Sequence, residues 1–141
     1  MQLKPLTGTL SVAPQIAADD LAALAALGFR SIVNNRPDGE AADQPAHALI
    51  AEEATRLGLA CRHVPVIPGL LQDADVTSFA AALDDMPTPM LAFCRTGTRS
   101  TMLWALVAAR TRPVDDVVRM AADAGYDLEP MRTRLQQAAT P

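Results

Sequence analysis

The run Met90-Leu91-Ala92-Phe93-Cys94-Arg95-Thr96-Gly97-Thr98-Arg99-Ser100 constrains the fold of this chain more than any other stretch. An apolar segment ends in a cysteine. A loop with one glycine, two arginines and three hydroxyls follows, and Thr101 to Ala109 is then apolar for a helix's length. The order reads as strand, tight loop, helix. Such a loop points successive backbone N–H groups into one concavity, and the helix start adds the positive end of its dipole. A cysteine at the mouth of that concavity is expected to ionise near neutral pH and act as a nucleophile. A purely structural cysteine would have no use for arginines so close behind it, because buried charges need partners.

The rest of the chain supplies an α/β frame for that loop. Gly8 to Ala13 alternates weakly and reads as a first strand. Asp19-Asp20 precede Leu21, Leu24 and Leu27, with Gly28 just beyond, which is an acidic helix start, an apolar face and a glycine stop. Phe29 to Val33 is a buried strand running into the polar loop Asn34-Asn35-Arg36-Pro37-Asp38-Gly39-Glu40. Ala46, Leu49, Ile50 and Leu57 keep helical spacing up to Gly58, and Leu59 to Val66 reads as a strand containing Cys61. The loop Pro65-Val66-Ile67-Pro68-Gly69 leads to a helix on Val76, Phe79, Ala80 and Leu83, with Asp73 or Asp75 at its start. After the central run, Val114 to Ala122 and then Leu128, Met131 and Leu135 mark two further helices. Strands alternating with helices predict a mostly parallel sheet of about four to five strands with helices on both faces.

Length fits one domain over residues 1–141. Half of the residues are hydrophobic, enough for a core without disulfides or metal. A net charge of −4 argues against nucleic-acid binding by bulk charge. The first residues lack a secretory apolar region and no apolar run approaches a membrane span, so a cytoplasmic protein without membrane contact is expected. There is no metal-ligand spacing. His47 and His63 read as packing or surface residues, and Cys61 as an inert strand cysteine. No cofactor is expected.

Two chemistries use a cysteine loop of this kind. In one, the thiolate attacks a phosphate ester and forms a phosphocysteine; in the other it takes a sulfane sulfur, forms a persulfide and passes it on by thiol exchange. Tyrosine phosphatases separate cysteine and arginine by five residues, whereas four separate Cys94 from Arg99. The pattern Cys-Arg-x-Gly-x-Arg-Ser is similar to the loop of single-domain rhodaneses, which are sulfurtransferases. Arg99 is the expected anion-binding arginine, since it can fork two N–H bonds to one oxyanion. Arg95, Thr96, Gly97, Thr98 and Ser100 complete the loop, and Arg36, Asp38 and Asp73 are candidates for supporting positions.

The surroundings of the loop resemble the phosphatase-like domain of the beta-lactamase-hydrolase-like family, over about residues 5 to 137. The resemblance rests on Asn34 to Glu40, on Pro65 to Gly69, and on Cys94 to Ser100 followed by Leu103-Trp104-Ala105-Leu106. It implies a dual-specificity or tyrosine-phosphatase-like fold, a bacterial origin, Cys94 as nucleophile, Arg99 as anion-binding arginine, and the amides of Arg95 to Arg99 as the cradle. It also implies, as a possible partner, a persulfide dioxygenase of the metallo-beta-lactamase type. Two departures bear on the reaction. Phe93 stands where tyrosine phosphatases usually carry a histidine. The Pro65–Gly69 loop has no carboxylate where their general acid sits, leaving Asp38 or Asp73 as substitutes. Sulfite leaves without a proton, so both departures rank sulfur transfer through a Cys94 persulfide first. Phosphatase action on aryl phosphates or phosphoproteins comes second, and a non-catalytic module that binds an anion or a partner third.

Overall fold

A computed structural model describes residues 1–140 of the chain. Five strands form one sheet: β1 (Lys4–Pro5), β2 (Leu10–Ala13), β3 (Ser31–Asn34), β4 (Ala60–His63) and β5 (Met90–Phe93). Their order is β1-β2-β5-β3-β4; β1 runs antiparallel to β2 and the other pairings are parallel. The helices are α1 (Leu21–Ala26), α2 (His47–Arg56), α3 (Asp73–Asp85), α4 (Thr98–Ala108), α5 (Val114–Asp123) and α6 (Arg132–Ala139). This is the mostly parallel α/β architecture that the alternation of patterns predicts.

Side-chain alternation along the strands explains the layers. On β5, Leu91 and Phe93 join Ile32 of β3 in a core closed by Leu21 and Leu24 of α1 and Ile50 and Ala54 of α2. Met90 and Ala92 point the other way, joining Val12 and Val33 in a core closed by Phe79 of α3, Leu103 of α4, Val117 of α5 and Leu135 of α6. Strands covered on both faces read as continuous apolar runs, and β2, β3 and β5 are buried at every residue.

The elements differ from their sequence outlines in places with clear causes. β1 has two residues and one of them is proline, too little for a periodic signal. The third predicted strand keeps only Ala60 to His63, since Pro65 has no N–H to continue the ladder. α4 starts at Thr98 rather than Thr101, because the hydroxyl and arginine residues of the loop form its first turn. At α3 it is Asp75 that caps, accepting the Gln72 amide at 2.9 Å.

The register aligns the carboxyl ends of four strands. Ala13, Phe93, Asn34 and His63 form one cross-strand row, and Cys94 and Asn35 follow immediately beyond it. β5 lies between β2 and β3, and its chain leaves toward α4 on one face of the sheet while those of β2 and β3 leave toward α1 and α2 on the other. That crevice is where open α/β sheets bind ligands.

Candidate active site

Cys94 follows β5 directly and has no exposed surface. The Gly97 amide donates to its sulfur at 3.1 Å. Gly97 has φ +91°, in the left-handed region, and a Cβ there would fall 2.0 Å from the Tyr126 hydroxyl oxygen. Glycine is therefore required twice over, for conformation and for space. Its carbonyl accepts both the amide of Thr101 at 3.0 Å and the Thr101 hydroxyl at 2.8 Å, which fixes the start of α4. The amides of Arg95 and Thr96 have no acceptor among the described residues. Of the loop amides, that of Gly97 is bonded to the sulfur while those of Arg95 and Thr96 are unengaged.

Arg99, in the first turn of α4, is directed by residues far away in sequence. Its Nη1 and Nη2 donate to the two carboxylate oxygens of Glu40 at 2.7 and 2.9 Å, and Nη1 also donates to the Val66 carbonyl at 2.8 Å. A guanidinium has five N–H donors. With three engaged, Nε–H and the second Nη2–H remain, and they form a single fork of the shape that grips an oxyanion. Burial opposes the charge on Arg99, but the Glu40 hydrogen bond and the neighbouring Cys94 outweigh it and raise the guanidinium pKa.

Glu40 also accepts from Arg36 Nε at 2.9 Å, so one carboxylate bridges two arginines. The hydrogen bond from Arg99, followed by that from Arg36, holds Glu40 below the usual carboxylate range against the opposing effect of burial. Arg36 is buried, and its Nη1 reaches Gln15 Oε1 at 3.1 Å, while the Gln15 amide donates to the Arg95 carbonyl at 3.2 Å. Arg36 therefore belongs to the site as a brace for Glu40 and the loop.

Asn35 ties three segments together. Its amide donates to Phe93 O at 2.8 Å, its Nδ2 to Val64 O at 2.9 Å, and its Oδ1 accepts the Ser100 hydroxyl at 2.7 Å. Ser100 is wholly buried by that bond, so it supports the loop from behind and does not line it. Thr96 and Thr98 are exposed at the rim with their hydroxyls 3.0 Å apart, and exposed Arg95 has no side-chain partner among the described residues.

Two candidates are not brought to the sulfur. Asp38 accepts the His47 amide at 2.8 Å, fixing the start of α2. Asp73 pairs with Arg134 of α6 at 3.3 Å and lines a surface cavity with Leu106 and Arg110, at the far end of α4 from the loop. Both carboxylates were candidates as substitutes for the absent general acid, but Asp38 is taken up at the start of α2 and Asp73, in the first turn of α3, by Arg134. His47 and His63 do not stand alone. Their rings stack with centroids 4.1 Å apart, joined to Asn34 Nδ2 and the Arg36 carbonyl. Among the described residues there is no cluster of three or more His, Cys, Asp or Glu able to hold a metal, and no helix long and apolar enough to cross a membrane.

Glu40, Asn35 and Tyr126 are the site residues that sequence reasoning missed. Glu40 offered one signal, its position four residues after Arg36. Asn35 stood within the Asn34–Glu40 motif but with no sign of its role, and Tyr126 offered no signal, because their partners are remote in sequence.

The family model for the beta-lactamase hydrolase-like protein, phosphatase-like domain, matches residues 2–111. A beta-lactamase hydrolase-like protein of Xylella fastidiosa (strain 9a5c) is 34% identical over 141 residues, covering 99% of this chain and 33% of the relative. The chain thus spans about a third of the length of the curated relatives it matches. A crystal structure described as a candidate phosphatase from Neisseria meningitidis is 38% identical, with a TM-score of 0.87, covering 98% of this chain and 99% of that one. Pseudomonas aeruginosa TpbA, in a cysteine-to-serine form with bound phosphotyrosine, shares the fold at 16% identity, with a TM-score of 0.65 over 98% of this chain and 88% of that one. The fold is tyrosine and dual-specificity phosphatase-like.

Proposed function

The chain belongs to the phosphatase-like domain family of beta-lactamase hydrolase-like proteins, and from that premise we propose that it is a cysteine-dependent phosphatase working through a Cys94 phosphocysteine. The observation that carries the reading is the Arg99 guanidinium, held by Glu40 and the Val66 carbonyl within hydrogen-bonding reach of the Cys94 sulfur.

The reaction has two steps. The Cys94 thiolate attacks phosphorus, the S–P bond forms, the P–O ester bond breaks, and the leaving oxygen takes the bonding pair. Water then attacks phosphorus, the S–P bond breaks, and phosphate departs with the thiolate restored. The Arg99 fork and the unengaged amides of Arg95 and Thr96 are the donors for the equatorial oxygens as charge develops on them. Cys94 has no exposed surface, and Arg95, Thr96 and Thr98 are the exposed side chains of its loop, where substrate first meets it.

No carboxylate lies on the 65–69 segment, and Asp38 and Asp73 are engaged elsewhere. The leaving group must then depart without a donated proton, which favours aryl phosphates over alkyl phosphates. The phosphotyrosine in the TpbA complex is an aryl phosphate and supports that choice. Sulfur transfer, which spacer length and the missing acid rank first from sequence, draws no support from the family or from solved neighbours. Spacer length also loses force as an argument, because Glu40 directs Arg99 from 59 residues away.

The test is a side-by-side assay of aryl phosphate hydrolysis and of sulfur transfer from thiosulfate to cyanide, with Cys94→Ser as control. Phosphate release that depends on Cys94 is the expected result. Cyanide-dependent thiocyanate formation without phosphate release would reverse the order of the two readings.

A further inference from the structure

Tyr126 lies between α5 and α6, outside the residues that the family model matches. Its place is set by the end of α5. Gly125 takes φ +101°, its amide donates to Ala122 O at 2.9 Å, and the Tyr126 amide donates to Ala121 O at 2.9 Å. This pair of bonds is a Schellman stop, which fixes the direction of the residue after the glycine. The Lys4 ammonium sits 5.4 Å from the ring centroid. The ring is buried, and its hydroxyl donates to the Thr96 carbonyl at 2.9 Å.

That carbonyl and the Gly97 amide are the two ends of one peptide unit. In a planar trans peptide C=O and N–H point in opposite directions. One end is held by the Tyr126 hydroxyl at 2.9 Å, and the other donates to the Cys94 sulfur at 3.1 Å. A hydrogen bond accepted at the oxygen also polarises the N–H at the far end, strengthening its donation. The contact leaves no slack, since a Cβ on Gly97 would come within 2.0 Å of the same hydroxyl oxygen.

We infer that Tyr126 is a positioning residue for the nucleophile: its hydroxyl holds the Thr96–Gly97 peptide so that the Gly97 N–H stays on the Cys94 sulfur. The inference rests on Cys94 being the reactive group. Burial first, and the nearby charge of Cys94 second, push the Tyr126 phenol up, so its proton is retained and the hydroxyl remains a donor at neutral pH. A ring serving only as packing would touch the loop without aligning one end of its single sulfur-facing peptide.

Tyr126→Phe keeps the ring and removes the donor. Turnover of an aryl phosphate should fall about five- to tenfold in kcat with KM changed less than about twofold, the loss expected for one well-aligned hydrogen bond. The acid limb of kcat/KM should move to higher pH. Alkylation of Cys94 by iodoacetate at slightly acidic pH should slow by a similar factor. Val118→Ala, a buried change within α5, is the comparison: it lowers stability but leaves the acid limb in place.

Tyr126 is the sole tyrosine, so biosynthetic 3-fluorotyrosine alters this phenol alone and keeps the chain otherwise intact if the phenylalanine variant folds poorly. A more acidic phenol donates more strongly, and the acid limb should then move to lower pH. If the wild type releases no phosphate, the phosphatase reading falls, while the alkylation rates still decide the role of Tyr126. Alkylation rates and pH limbs unchanged by both substitutions would overturn the inference.

Discussion

The molecule carries two cysteines, one within a strand of the sheet and one just past the end of another, and only the second is placed for chemistry. Cys61 lies within edge strand β4, in the register row of Ile32 and Leu91 and packed against the α1–α2 face. Burial alone pushes its thiol up to about 11, so it stays protonated at neutral pH. Cys94 lies three residues beyond Leu91, about 10 Å further along the strand direction, where the central strand has ended and a helix is about to start. There it meets the Gly97 amide and the Arg99 side chain. The two sulfurs are also two strands apart, roughly another 10 Å across the sheet, well outside the Cα separation a disulfide tolerates. Cys61 is therefore not a resolving thiol for Cys94. A strand buries whatever it carries; only past its carboxyl end do backbone donors and cations converge on a side chain.

The largest expected effect breaks that contrast directly. Cys94→Ser should reduce aryl phosphate turnover by at least about a thousandfold, whereas Cys61→Ser should leave kcat within about twofold of wild type. A substantial loss on replacing Cys61 would mean that the account has chosen the wrong sulfur.

A second contrast lies inside the loop. Arg99→Ala removes the fork beside the sulfur and should lower kcat/KM by about a hundredfold. Arg95→Ala removes an exposed charge without a partner and should cost less than about threefold. Equal losses would show that Arg95 turns inward on binding and that the fork is not the main anion site.

The smallest effect concerns the frame. Glu40→Gln should destabilise the chain by about 1–3 kcal/mol by leaving Arg36 and Arg99 without their shared carboxylate. Glu40 has its pKa lowered in the folded chain from an ordinary 4.5. Its contribution is accordingly complete above that value and is lost as pH falls through the lower folded value. Urea midpoints of wild type and Glu40→Gln should differ at near-neutral pH and draw together as pH falls below the ordinary carboxylate range. A gap independent of pH would mean that the carboxylate charge is not what holds the arginines.

The sequence makes legible what local pattern controls. Leu21 and Leu24, Ile50 and Ala54, and Val117 and Ala121 each repeat at helical spacing and each lie in an apolar core, whereas Leu27 and Leu49, set by spacing on the same apolar faces, are exposed. The Cys94 loop announced itself because glycine, arginines and hydroxyls are crowded between two apolar runs. What lay out of reach was long-range. Asp38, Glu40 and Asp73 are all carboxylates near strand ends, and nothing local shows that Glu40 bridges two arginines while the others serve helix α2 and Arg134. The paired stacking of His47 and His63 depends on how α2 packs beside β4. Loop length likewise suggested sulfur transfer because spacing can be counted, whereas the contacts that aim Arg99 cannot.

The central claim is that Cys94 carries the phosphoryl group. Trypsin separates the two cysteines, cutting after Arg62 and after Arg95, so rapid denaturation during aryl phosphate turnover followed by peptide mass spectrometry gives a direct answer. The account predicts a mass gain of about 80 Da, one phosphoryl group, on Cys94 in the peptide His63–Arg95. Turnover that proceeds with Cys94 unmodified, or with the phosphoryl group on another residue, would contradict it.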